Sequence, residues 1–225
     1  TKPAGRNPPV FTMGYNHQHY GTAGFFYLHT VPGILAWDRF SVLKSRHSCR
    51  ERSINMDNWL ARTRLLLGDE AVNSLRHSRV AVLGLGGVGG AAAEAICRSG
   101  VGAMLLADYD KVDITNLNRQ HYTMKDLGIP KTLALVEQLE AINPYLTYET
   151  YTERVVPSNV ERLFSGCDVV VEAFDKPDQK AMLLENLLTR LPVKPVVSGS
   201  GMSGYGSANL ITTEKRFGHV YHCGD

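Results

Sequence analysis

The stretch VAVLGLGGVGGAAAEAICRSG, Val80 to Gly100, constrains this chain more than any other. A β-branched apolar run enters a turn containing Gly84, Gly86, Gly87 and Gly89, and an alanine-rich segment leaves it. The spacing Gly84-x-Gly86-x-x-Gly89 predicts strand, tight turn and helix in succession. Glycines let a backbone come close to a phosphate, and the helix N-terminus aims free N–H groups at it. A nucleotide is therefore the expected ligand. NAD and ATP both carry such phosphates, so the residues downstream must choose between them.

The flanking pattern supplies the fold. From Asn58, NWLARTRLLLGDEAVNSLRHS predicts two short helical stretches broken at Gly68. Strand 79–84, helix 88–99 and strand 103–108 follow. Helix 130–142 places Leu135, Val136, Leu139 and Ile142 on one face. Strand 146–151, helix 157–164, strand 168–173, helix 177–190 and strand 194–198 continue the alternation. A hairpin through NLITT and HVYHC is expected near the end. Strands alternating with helices predict an α/β fold: a doubly wound, Rossmann-like, mostly parallel sheet with helices on both faces. The sequence stops at Asp225 without a closing helix, as a piece of a longer domain would.

Residues 1–55 read differently. They lack helical or alternating periodicity, and they hold His17, His19, His29 and His47. His17-x-His19 has no third ligand at metal-binding spacing, so an extension outside the fold is expected there, with the domain over residues 56–225. Seven lysines and arginines but only two acidic residues fall in the first 55, a net +5; the chain as a whole is +2, which leaves −3 for the remainder. A slightly acidic domain without a basic stripe is a poor nucleic-acid platform, DNA or tRNA. Four scattered cysteines, Cys49, Cys97, Cys167 and Cys223, form no Cys-x-x-Cys pair and fit a reducing cytoplasm. No apolar run is long enough to span a bilayer, and the most apolar stretch near the N-terminus is interrupted by His29 and Pro32.

The choice of nucleotide rests on the carboxyl ends of the strands, where open α/β sheets bind their ligands. Asp108 closes the second strand, about twenty residues beyond the last glycine, at the usual distance for a ribose contact. The segment DKVDITNLNRQHY then brings Asn116, Asn118, Arg119 and Gln120 to the same edge, GIPK adds Lys131, and EAFDKPDQK adds Asp175. A triphosphate carries about four charges near neutral pH, roughly twice those of a pyrophosphate diester, and calls for cations, amides and a metal. Arg119 and Lys131 are the expected cations. Asp175 is the expected magnesium ligand, because Mg²⁺ keeps most of its water and needs few carboxylates. Taken singly, each has a plain alternative: a surface arginine, a first-turn lysine, a helix cap. Together they favour ATP over NAD.

In this order, Gly-x-Gly-Gly-x-Gly (84–89), Asp-x-Asp (108–110), Asn-x-x-Arg-Gln (116–120), Pro-Lys (130–131), Asn-Pro (143–144) and the strand-terminal Asp175, the sequence resembles the ThiF/MoeB/HesA adenylyltransferases, prokaryotic relatives of ubiquitin-activating enzymes. The likeness covers about residues 59–225. LNRQHY, VVEAFDKPDQKAML and VSGSGMSGYG look most like the short ThiF proteins of thiamine biosynthesis. RTRLLLGDEAV looks like the tRNA threonylcarbamoyladenosine dehydratase branch. The resemblance implies ATP-dependent adenylation of the C-terminal Gly-Gly carboxylate of a small ubiquitin-like sulfur carrier, with release of pyrophosphate. Such a carboxylate has a pKa of about 3.5 and is ionised without a general base. By the same likeness Gly84, Gly86, Gly87, Gly89, Asn116 and Gln120 surround the phosphates, Asp108 holds the ribose, and Arg119 and Lys131 neutralise charge. Asp175 holds Mg²⁺, a homodimer is expected, and Arg62 or Arg64 is the candidate to reach across it.

Three rival readings remain: the tRNA dehydratase, an NAD enzyme, and a non-catalytic adaptor that keeps the fold. The sequence also departs from many relatives, with no paired Cys-x-x-Cys zinc motif and no cysteine in a convincing thioester loop. Cys97 and Cys167 are expected in the core, and His121 is expected to be structural. SGSGMSGYG is a candidate seat for a Gly-Gly tail or a plain turn.

Overall fold

The computed structural model describes residues 56–200 and 207–224. The expected extension, residues 1–55, and most of the glycine-serine loop lie outside the described residues. Helix α1 (Met56–Trp59) leads into α2 (Ala61–His77), where Gly68 takes φ 84° and ψ 169°. The helix is interrupted there because only glycine enters that region without strain, as the sequence indicated. Strand β1 (Arg79–Leu83), helix α3 (Gly87–Ser99) and strand β2 (Ala103–Ala107) follow. A long loop leads to α4 (Lys131–Ile142), β3 (Thr147–Tyr151), α5 (Val160–Phe164), β4 (Val169–Glu172), α6 (Pro177–Arg190) and β5 (Val196–Gly199). The hairpin is β6 (Thr212–Arg216) and β7 (Val220–Gly224).

One sheet runs in the order β3-β2-β1-β4-β5-β7-β6. All neighbouring pairs are parallel except β6 with β7. Helices cover both faces, and the inner strands alternate accordingly. Val80 and Val82 pack with Ala93, Leu106 and Leu135 under α3 and α4, while Ala81 and Leu83 pack with Leu105, Phe164 and Leu187 under α5 and α6. A strand buried on both faces must be apolar throughout, which is why RVAVL and AMLLA show no polar alternation.

One expectation needs adjusting, and two further features come from the structure. Helix α5 begins at Val160, because Asn159 turns back to accept the Val156 N–H at 2.9 Å and delays the helix. Strand β3 is the sheet edge, so its sequence, TYETY, is mostly exposed. The hairpin does not stand apart: β7 pairs with β5 and extends the main sheet, and Ala208–Leu210 forms a short 3-10 turn before β6. Cys97 and Cys167 are buried in the core as expected.

The chain lays β1, β2 and β3 outward in one direction, then returns to place β4 on the other side of β1. That reversal opens a crevice between the carboxyl ends of β1 and β4, the place where such sheets take ligands.

Candidate functional site

A cleft of about 360 Å³ lies at this reversal. Its floor is the turn after β1. Gly84 has φ +82°, and a Cβ there would sit 2.7 Å from the Ala173 carbonyl oxygen, so both conformation and space demand glycine. A Cβ on Gly89 would come within 1.7 Å of the Gly84 oxygen. Gly89 therefore serves to seat α3 on the turn. Of the residues expected to bind nucleotide, it alone stands back from the cleft lining. Gly86 caps α3 without any side-chain bond to the first turn, and Gly86 and Gly87 both face the cleft. The first N–H groups of a helix have no acceptor within it, so this end suits an anion.

Asp108, at the end of β2, is 8% exposed. Its Oδ2 accepts the Leu85 N–H at 2.7 Å and its Oδ1 accepts the Asp110 N–H at 2.8 Å. Burial pushes this carboxyl above its ordinary value, against those two bonds and the nearby Lys131, which pull it down.

The loop between β2 and α4 folds back over the glycines because its own side chains pin it. Asp113 and Asn116 cap a 3-10 turn reciprocally, and Thr123 and Asp126 do the same for the next. The buried Tyr122 hydroxyl donates to the Leu85 carbonyl at 2.8 Å, and burial drives its pKa upward. Asn116, Arg119 and Gln120 are thereby carried to the cleft. Arg119 is exposed, its guanidinium donating to Thr115 O at 2.9 Å and Asn118 Oδ1 at 3.1 Å. Gln120 has a buried Oε1 with no hydrogen-bond partner among the described residues, a polar atom left for a ligand or a flipped amide. Lys131 opens α4 behind Pro130, and its Nζ lies 3.3 Å from Asp110 Oδ2. Asp175 is exposed on the opposite wall, just past β4.

Residues 60–225 match the family model described as the ThiF family. The chain belongs to the ThiF family. Similar proteins include the tRNA threonylcarbamoyladenosine dehydratases of Bacillus subtilis, 40% identical over 63% of this chain and 56% of that protein, and of Escherichia coli, 35% identical over 66% and 56%. An adenylyltransferase and sulfurtransferase of Lodderomyces elongisporus is 32% identical over 68% of this chain and 33% of its own. The chain thus spans about half the length of the dehydratases and a third of the last. Among solved structures, the Escherichia coli dehydratase in complex with ATP superposes with TM-score 0.66 at 32% identity, covering 70% of this chain and 65% of that one.

The ThiF-family cleft also contains residues that sequence reasoning missed. Tyr109 and Arg154 form one wall, with the guanidinium 5.4 Å from the ring centroid, and Lys176 Nζ donates to the Tyr109 hydroxyl at 3.4 Å. Arg154 and Lys176 are exposed and line the cleft beside Arg119. Arg154 follows β3 at the same edge, so applying the strand-end rule to every strand would have found it. Other candidates fall elsewhere. His121 pairs with Glu94 on α3 at 3.1 Å, as a structural histidine does. Arg64 pairs with Asp69 at 2.6 Å, whereas Arg62 is exposed. Cys223 is half-buried on β7. Gly199 and Ser200 line the cleft, and residues 201–206 lie outside the described residues. Among the described residues there is no group of three His, Cys, Asp or Glu able to hold a metal, and no helix long and apolar enough to cross a membrane.

Proposed function

We propose that this ThiF-family domain binds ATP with magnesium and activates a carboxylate as an acyl-adenylate. The observation that carries this reading is convergence: Arg119, Lys131, Asn116, Gln120 and Asp175 all line one cleft with Gly86 and Gly87. The residues fit the ligand. The glycine floor leaves room at the α3 N-terminus, Asp108 keeps unused lone pairs for ribose hydroxyls, and Gln120 carries a buried oxygen unmet among the described residues. Asp175 alone is no metal site, but one carboxylate plus phosphate oxygens and water suffices for Mg²⁺.

In the reaction, an ionised carboxylate oxygen of the substrate attacks the α-phosphorus, and the bond to pyrophosphate breaks. Magnesium would supply charge neutralisation on the phosphates. Arg119 and Lys131 stabilise the developing charge, Asp108 orients the ribose, and the glycine turn sets the phosphate chain in line. No general base is required.

For the acyl substrate, the tRNA dehydratase reading now stands ahead of the sulfur-carrier reading, because the dehydratases are the more similar at 40% and 35% identity. Three exposed cations at the cleft, Arg119, Arg154 and Lys176, favour an anionic partner despite the net −3 of residues 56–225. The Gly-Gly carrier is the second reading, carried by the 32% identity to the adenylyltransferase and sulfurtransferase. A homodimer with Arg62 at the partner subunit's cleft extends either one. ATP–pyrophosphate exchange decides between substrates. Stimulation by tRNA bearing threonylcarbamoyladenosine and not by a Gly-Gly carrier supports the first, the reverse supports the second, and tight NADH binding with weak MgATP binding defeats both.

A further inference from the structure

Glu172 ends β4 and has no solvent exposure. A carboxylate so placed must spend its lone pairs on donors, and Glu172 does. Its Oε1 accepts the Phe174 N–H at 2.8 Å, and its Oε2 accepts both Lys180 Nζ and Ser198 Oγ at 2.6 Å. The Lys180 ammonium, on α6, donates in addition to the Gly199 carbonyl at 2.7 Å. One ion pair therefore ties the exit of β4, through Phe174, to the exit of β5, through Ser198 and Gly199.

Glu172, Lys180 and Ser198 do not line the cleft, whereas Phe174, Asp175, Gly199 and Ser200 do. The pair stands behind two walls and holds both. Filling the same volume with apolar side chains is commonly as stable or more so, so stability alone is a weak account of a buried ion pair. What an apolar pair cannot do is bond to three backbone or hydroxyl groups on two strands at once.

We propose that the Glu172–Lys180 ion pair is a positioning device that sets the spacing between Asp175 and the Gly199–Ser200 lip across the cleft. In that role it decides where a metal on Asp175 stands relative to an acyl group entering past Gly199. The inference rests on the nucleotide reading above.

The test uses the full chain, with ATP binding measured in EDTA and across a magnesium titration, together with thermal unfolding. Lys180→Met leaves the Glu172 charge unpaired, and both the unfolding midpoint and the magnesium response should suffer. The double variant Glu172→Gln/Lys180→Met removes both charges and recovers the midpoint. Its half-saturating magnesium nevertheless stays raised by about tenfold, the scale of effect that a misplaced group produces. Metal-free ATP binding, which depends on the glycine turn and Asp108, stays within about twofold of wild type by the same argument. Recovery of both midpoint and magnesium response in the double variant overturns the proposal, since the pair would then only fill space. Ser198→Ala provides a milder test should the double variant not fold: it cuts one tie, and a shift in half-saturating magnesium of about threefold is expected from one lost hydrogen bond. An unshifted response in Ser198→Ala overturns the proposal as well. Wild-type protein that binds no ATP in either condition is a separate result, which removes the nucleotide reading itself.

Discussion

The Lys131 ammonium rests 3.3 Å from the Asp110 carboxylate, with the lysine side chain 8% exposed and the aspartate 51% exposed. The cation is thus held at the cleft wall by a counter-ion that remains solvated. On the proposed reading, a phosphate arriving there would meet a preoriented charge and compete with a partner that water readily takes back. Arg119 differs, because backbone and amide oxygens hold its guanidinium and, among the described residues, no carboxylate pairs with it.

Lys131→Ala and Asp175→Ala are each expected to lower ATP–pyrophosphate exchange by about two orders of magnitude, as removal of an electrostatic stabiliser does. Asp110→Asn should change ATP affinity by no more than about threefold, since it removes a weak, solvated partner. Exchange rates and nucleotide titrations check both, and full activity in Lys131→Ala together with Asp175→Ala would refute the site assignment.

Two glycines of the turn should fail in different ways. A methyl on Gly89 meets the Gly84 backbone oxygen at 1.7 Å, whereas the nearest atom to one on Gly86 is Gln120 Nε2 at 3.7 Å. Gly89→Ala is expected to destabilise by about 3 kcal/mol through overpacking against backbone. Gly86→Ala is expected to fold nearly as well as wild type and to bind ATP more weakly. Urea unfolding and ATP titration separate the two, and equal stability losses would contradict the packing described.

Asp108 makes a pH-dependent contribution whose sign can be worked out. Burial raises its folded-state pKa above the ordinary 3.8, so the folded protein holds this proton more tightly than the unfolded chain. Its contribution to stability is fully present below the unfolded value and is lost as pH rises through the higher folded value. Asp108→Asn cannot ionise and lacks that loss. Its stability relative to wild type should therefore improve between about pH 3 and pH 6. Urea midpoints for both proteins across this range provide the measurement, and a relative decline in the variant would show the shift to be in the other direction.

The cysteines bear on any thioester step. Burial pushes the Cys97 and Cys167 thiols up, and both are inaccessible. In a Cys49→Ser background, a thiol reagent at pH 8 should label Cys223 in the folded protein and reach Cys97 and Cys167 only after unfolding. Mass spectrometry of the labelled peptides settles the order, and early labelling of Cys97 would mean that the core opens locally.

Much of the cleft is legible in the sequence. Gly84, Asp108 and Lys131 announce themselves because each follows a strand or opens a helix, and strand ends share one edge in this class of fold. Arg119 stands out by its polar neighbours Asn116, Asn118 and Gln120 in the loop between them. Tyr109 with Arg154 escaped notice because they meet only once β3 lies beside β2. Glu172 escaped for another reason: in DVVVEA it reads as a polar residue at a strand end, and nothing local says that Lys180 and Ser198 will close around it.

What the sequence by itself determined is short-range: the backbone freedom at Gly84, the apolar runs of β1 and β2, the helix opening at Lys131, and the interruption at Gly68. These follow from steric and periodic rules that act over a few residues. Only the tertiary structure decided that Gly89 seats a helix and stands back from the cleft lining, that Lys131 is already paired with Asp110, and that Glu172 links two walls through Lys180. Those facts depend on distances between segments far apart in the chain, which strand order and packing set and local propensity does not encode.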